Sequence, residues 1–189
     1  MEIKTFSERE IQRFRSETKG TSEWIHFNNA GASLPPDEVV ETVIHYLNEE
    51  ASKGGYEIEH KYEEQLDNVY QLIARLIHAE IDEVAIVENA SMAWGLAFNG
   101  IEFKKGDVII TSEMEYVTNL LGFLNAEQTH GIQIKVIPND AEGNFSLPAL
   151  EEAITAQTRL IAITHIASTA GAVVPVSEIG KIARKHNIL

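Results

Sequence analysis

Four short runs in this chain combine small residues, hydroxyls or an aromatic ring, and each follows an apolar segment. Glu88-Asn89-Ala90-Ser91-Met92-Ala93-Trp94 comes after Val84-Ala85-Ile86-Val87. It sets a small residue and a hydroxyl at the start of a predicted helix, whose unpaired first-turn N–H groups can hold a phosphate. Ser91 at that place equally suits an ordinary N-cap. Ser112-Glu113-Met114-Glu115-Tyr116-Val117-Thr118-Asn119 comes after Val108-Ile109-Ile110-Thr111. It offers the ring of Tyr116 to a planar ligand, although a single tyrosine there also fits plain surface or core. Thr164-His165-Ile166-Ala167-Ser168-Thr169-Ala170-Gly171 is a run of small and polar residues ending in glycine ahead of Pro175, which suits close backbone approach to a ligand. Asn28-Asn29-Ala30-Gly31 is a turn whose backbone amides can receive a carboxylate, or a turn and nothing more.

The elements that must carry these runs follow from periodicity. Ser7 and Glu10 form a capping-box signature for a short helix over about residues 8 to 17, inside an N-terminal helical arm spanning 1–23. Val39, Val40, Val43, Ile44 and Leu47 share one face of a helix that should end near Lys53-Gly54-Gly55. Ile58, Tyr62, Leu66, Val69, Ile73, Leu76 and Ile77 recur at helical spacing and predict one longer helix with a buried stripe. Strands are then expected at Val84 to Val87, Val108 to Thr111, Ile132 to Ile137 and Leu160 to Ile166. Helices are expected from Ser91, from Tyr116, over Leu147 to Ile154 and over Val176 to His186. This alternation predicts an α/β fold, a mostly parallel sheet with helices on both faces, in which ligands bind at the carboxyl ends of the strands. Asn187 is placed to cap the last helix, and Ile188-Leu189 resembles the opening of a further strand, so the domain over 24–189 is expected to be truncated.

Bulk properties narrow the function classes. With 189 residues, 44% apolar and 23% charged, the chain can bury a real core. A formal net charge of −14 argues against nucleic acid or an anionic membrane surface as partner. The acidic residues, Glu49 and Glu50 among them, are expected on solvated helix faces. The absence of cysteine excludes disulfides, and Met1-Glu2-Ile3-Lys4 does not open a signal peptide, so a cytoplasmic location is expected. The small and apolar stretch from Leu160 to Val176 falls short of the roughly 18 to 20 apolar residues that a membrane span needs. His45/Glu49 and His60/Glu64 have i, i+4 spacing but lack a third ligand, so no metal site is expected. Ser168 and His165 lie too close on one strand end to serve as nucleophile and base without an orienting carboxylate. No G-x-G-x-x-G or G-x-x-x-x-G-K follows any predicted strand, which weakens the alternative of a nucleotide-binding α/β module.

Taken in order, these runs resemble the class V aminotransferase family, fold-type I pyridoxal-phosphate enzymes that include cysteine desulfurases, selenocysteine lyases and isopenicillin-epimerase-like proteins. The resemblance covers the chain from about residue 24, as the first part of the family's large domain. It implies that Ala90 and Ser91 bind the cofactor phosphate and that Tyr116 stacks on the pyridine ring. It implies that Ser168 lies near the ring hydroxyl or the substrate carboxylate, and that Ala30 and Gly31 line the substrate's carboxylate end. Two positions depart from the cysteine desulfurase pattern. Tyr116 stands where those enzymes stack a histidine and Ser168 where they place an asparagine, which weighs against desulfurase activity. The resemblance puts the pyridinium-binding aspartate and the Schiff-base lysine past residue 189, so no catalytic residue is expected within this chain. It further implies an amino-acid substrate and a homodimer in the complete form, or association with a complementary chain. A non-catalytic pseudo-subunit that binds a complete homologue is the alternative reading.

Overall fold

A computed structural model of the chain describes residues 5–168 and 170–189. The first four residues of the expected arm, and Thr169 of the fourth run, lie outside the described residues. The chain divides into two compact units, Met1–Ile86 and Val87–Leu189.

The first unit is helical. Helix α1 (Glu8–Ser16) opens on the expected capping box: the Ser7 hydroxyl accepts from the Glu10 N–H, and the Glu10 carboxylate accepts from the Ser7 N–H at 2.8 Å. Helix α2 (Asp37–Lys53) ends at Gly54, whose φ of 99° is open to glycine at little cost. The single long helix expected next is two, α3 (Gly55–Lys61) and α4 (Glu63–Ile77), broken at Tyr62. At the break, Lys61 Nζ and the Tyr62 hydroxyl both donate to Glu49 of α2, at 2.6 and 2.7 Å. The break also changes the expected acidic partner of His60, whose Nδ1 lies 3.1 Å from Glu63 rather than facing Glu64. Nor is the predicted stripe buried along its length: Ile58 is 1% exposed, but Leu66, Val69, Leu76 and Ile77 are all exposed, Leu76 at 79%. Periodicity identifies an apolar face; it does not supply a surface to cover it. Glu49 departs from the expected solvated face, its side chain being only 14% exposed among Lys53, Lys61 and Tyr62.

The second unit holds the α/β fold. Strands β1 (Val108–Ser112), β2 (Gln133–Ile137) and β3 (Thr158–Ile161) form a parallel sheet in the order β2-β1-β3. Helices α5 (Ala90–Asn99), α6 (Val117–His130), α7 (Leu147–Ala153) and α8 (Val176–His186) alternate with the strands as expected. Because successive strand residues face opposite ways, Ile109 joins Phe98, Phe123 and Leu160 on the α5–α6 side. Ile110 joins Ile137, Leu150 and Ile179 on the α7–α8 side. Helices thus cover both faces, and every residue of β1 is buried.

Two strand expectations are corrected. Val84 to Val87 is extended at Val84 (φ −102°, ψ 123°) but pairs with no strand among the described residues, and a strand exists only through its ladder. β3 stops at Ile161 rather than Ile166: past Ala162, the Thr164 N–H donates to a side chain, Glu115, and Ile166 forms an antiparallel bridge with Val173. At the other end of the unit, Asn187 adopts the left-handed conformation that caps α8. The carbonyl of Leu189 accepts from Ile161 N–H of β3 at 2.8 Å.

Candidate functional site

The turn after β1 is held by two carboxylates that reach opposite ways. Met114 between them packs into the α7–α8 core. Glu113 accepts from the N–H of Asn139, just past β2, at 3.0 Å. Glu115 accepts from five donors: Tyr116 N–H (2.7 Å), Asn119 Nδ2 (2.9 Å), Thr164 N–H (3.1 Å), Thr164 Oγ1 (2.5 Å) and Thr111 Oγ1 (3.3 Å). The turn is thereby tied to the carboxyl ends of both neighbouring strands. Tyr116 occupies the N-cap position of α6 without a side-chain cap, and its side chain is 52% exposed. An exposed aromatic face is set at the edge where the strands end.

Helix α5 begins one residue before the predicted Ser91, and its cap is Asn89, whose Oδ1 accepts the Met92 N–H at 3.0 Å. Ser91 lies in the first turn rather than capping it, so the ordinary explanation for that serine does not apply. Among the described residues, no hydrogen bond takes up the N–H of Ala90 or Ser91, and the first turn carries no acidic side chain. Those donors and the helix dipole together suit an anion. α5 is fixed against α6 through Trp94, Phe98 and Phe123, with ring centroids 5.5–5.9 Å apart. Gly122 lies at this contact, where an added Cβ would stand 3.5 Å from Trp94 Nε1, an ordinary van der Waals distance.

The loop after β3 folds back on itself. Ala167 N–H donates to Ala172 O, Gly171 N–H to Ala167 O and Val174 N–H to His165 O, with Gly171 at φ 65°. Ser168 sits at the exposed tip of this fold, four residues beyond the Thr164 pair to Glu115. The structure thus ties the loops of Tyr116 and Ser168 together through one side chain. In the first unit, Ala30 and Gly31 form the expected turn, but the Gly31 N–H already donates to Asn28 Oδ1 at 3.2 Å. A carboxylate arriving there would find the Ala30 amide, not both.

Sequence reasoning named Tyr116, Ser168, Ala90 and Ser91 but passed over Glu113 and Glu115. Their signal was two acids flanking one apolar residue directly after a strand, a place where solvated acids have no reason to be spaced.

The sequence model of a family described as Aminotransferase class-V matches residues 25–189. The chain belongs to the class V aminotransferase family. A probable cysteine desulfurase of Pyrococcus abyssi is 31% identical over 174 residues, covering 89% of this chain and 43% of that protein. A probable cysteine desulfurase of Methanothermobacter thermautotrophicus is 28% identical over 162 residues, covering 84% and 40%. Among solved structures, the apo cysteine desulfurase of Thermococcus onnurineus has a TM-score of 0.80 at 27% identity, with 94% of this chain and 46% of that one covered. A C-DES variant with glycine covalently linked to its PLP cofactor has a TM-score of 0.82 at 19% identity, a likeness of fold. The chain spans less than half the length of each of these proteins. Among the described residues, no helix is long and apolar enough to cross a membrane.

Proposed function

We propose that this chain supplies the phosphate cup, the ring-stacking face and part of the substrate end of a pyridoxal-phosphate enzyme acting on an amino acid. The observation that carries this reading is the α5 N-terminus: Asn89 caps it, Ser91 is left over, and the N–H groups of Ala90 and Ser91 have no partner among the described residues. When bound, the cofactor supplies an electron sink for bonds at the amino acid's α-carbon. In this reading Ala90 and Ser91 donate to the phosphate and Tyr116 lies on the ring. Ser168 lends a hydroxyl to the ring oxygen or the substrate carboxylate; in the first unit, taken by itself, the Ala30 amide is a donor that a carboxylate can meet.

The named relatives make cysteine the first amino acid to test. A phenol does not offer the near-neutral proton exchange of an imidazole, so Tyr116 orients the ring rather than moving a proton. C–S lysis, epimerisation and transamination are accordingly the reactions to compare. Exposed Ile44 and Leu47 of α2 and Leu76 and Ile77 of α4 support association with a second chain, a like copy or a complementary one.

Titration with pyridoxal phosphate followed by absorbance tests the cup. Saturable binding that Ser91→Ala and Tyr116→Ala each weaken is the expected result. Binding unaffected by either substitution, or none at all, would remove the basis for this reading.

A further inference from the structure

Five donors converge on Glu115, and their arrangement on its two oxygens is specific. Oε1 accepts from Tyr116 N–H, Asn119 Nδ2 and Thr164 Oγ1; Oε2 accepts from Thr164 N–H and Thr111 Oγ1. A carboxylate offers about four lone-pair sites, so its accepting capacity is filled. Each oxygen faces one backbone N–H that can only donate. The group therefore bridges two loops 49 residues apart in sequence, one carrying Tyr116 and the other Ser168. Glu113 ties the Tyr116 turn to the chain after β2, but among the described residues the side-chain hydrogen bonds between the Tyr116 turn and the chain after β3 all run through Glu115.

We propose that Glu115 is the positioning residue of the site, setting the Tyr116 ring face and the Ser168 loop relative to one another through a single carboxylate. This rests on the reading of Tyr116 and Ser168 as cofactor-facing residues, while the coupling of the two loops is a property of the chain itself. Glutamine is almost the same shape as glutamate but cannot serve here. Whichever way its amide is turned, an NH2 group confronts either Tyr116 N–H or Thr164 N–H, and one of the two ties is lost. Thr164→Val is milder, since it removes the hydroxyl bond and retains the N–H bond.

The test compares the chain with Glu115→Gln and Thr164→Val by amide hydrogen exchange, and by induced circular dichroism of added pyridoxal phosphate. In Glu115→Gln the Tyr116 or the Thr164 amide should exchange about tenfold faster or more, the loss expected for a hydrogen bond to a charged group, while Val108–Ile110 keep their protection. Thr164→Val should also speed exchange at Tyr116, a residue it does not touch. With cofactor bound, Glu115→Gln should weaken the induced signal as Tyr116→Ala does, at a temperature where the sheet is still fully folded. Adding it to Tyr116→Ala should weaken the signal no further. Both amides remaining protected in Glu115→Gln, or a bound cofactor whose signal ignores that substitution, would overturn the proposal. If the unsubstituted chain binds no cofactor, the cofactor reading fails and exchange alone decides. Faster exchange at Tyr116 in Thr164→Val then upholds the coupling, and unchanged exchange there overturns it.

Discussion

Phe123 is not among the expected ligand contacts, yet it joins both helices of the proposed cup to the sheet. Its side chain is 0% exposed, between Trp94 and Phe98 of α5 and the buried Ile109 and Leu160 of the strands. Truncation to alanine removes the ring from a closed cluster, and the neighbours are held by strand pairing on one side and a helix on the other. Little collapse into the space is therefore expected, and the loss should lie in the usual range for buried phenylalanine, about 3–5 kcal/mol. Against a total stability of roughly 5–15 kcal/mol for a domain, that is a large fraction. Phe123→Leu keeps much of the volume and should cost less than half as much. Urea unfolding followed by Trp94 emission in a Trp24→Phe background reads the same cluster, because the Trp94 ring is 5.9 Å from Phe123. The midpoint should fall with the slope unchanged. A Phe123→Ala loss under about 1 kcal/mol, well below that range, would show that α5 and α6 are not locked over the sheet, and the positional reasoning for Ser91 would fail with it.

Other perturbations probe the cap and the first unit. Asn89→Ala should lower stability by about 1 kcal/mol by removing the α5 cap. Asn89→Asp keeps that cap and favours the helix through its dipole, but adds a negative charge beside the anion cup; thermal melting should hold or rise while pyridoxal-phosphate affinity falls. Glu49 is held far below the usual carboxylate range, first by its hydrogen bond from Lys53, then by those from Lys61 and Tyr62. A pKa lower in the folded than in the unfolded state contributes stability above the unfolded value, about 4.3, and that contribution drains away as pH falls below it. Glu49→Gln should therefore destabilise the chain near neutrality, and the gap between its urea midpoint and that of the unsubstituted chain should narrow on acidification; a gap independent of pH would contradict the assignment.

What the sequence made legible was local or periodic. The Ser7–Glu10 box, the stop at Gly54, the cap at Asn187 and the strand–helix alternation from Val108 onward each need only neighbours along the chain. The misreadings share one cause, namely dependence on a partner remote in sequence. Val84 to Val87 has strand composition, yet a strand is defined by what pairs with it. The stripe through Ile58 and Leu66 keeps helical spacing across Tyr62, although Lys61 and Tyr62 turn there to Glu49. Ser91 resembled a cap because capping chemistry is shared by serine and asparagine, and only geometry shows that Asn89 took the role. Glu115 was hidden most completely, since its donors come from β1, α6 and the loop after β3.

Charge bears on the site differently from the way net charge suggests. A formal −14 appears hostile to a phosphate, but at physiological salt the screening length is about 8 Å, so only nearby charges count. Most of the acidic residues precede Val87, several of them already paired with lysine or histidine, as at Glu49 and Glu63. Of the acids at the carboxyl ends of the strands, Glu113 is engaged by Asn139 and Glu115 by five donors. Hydrogen bonds of that kind spread a carboxylate's charge over fixed dipoles whose positive ends surround it, which lessens its repulsion of a second anion nearby. In the proposed site the bonds that hold the Tyr116 turn would also lessen the repulsion between Glu115 and an anion at the start of α5, so that substituting Glu115 would change geometry and field together. Titrations of the Glu115 and Asn89 variants at two ionic strengths would separate the two effects, because screening weakens the field while leaving a displaced ring displaced.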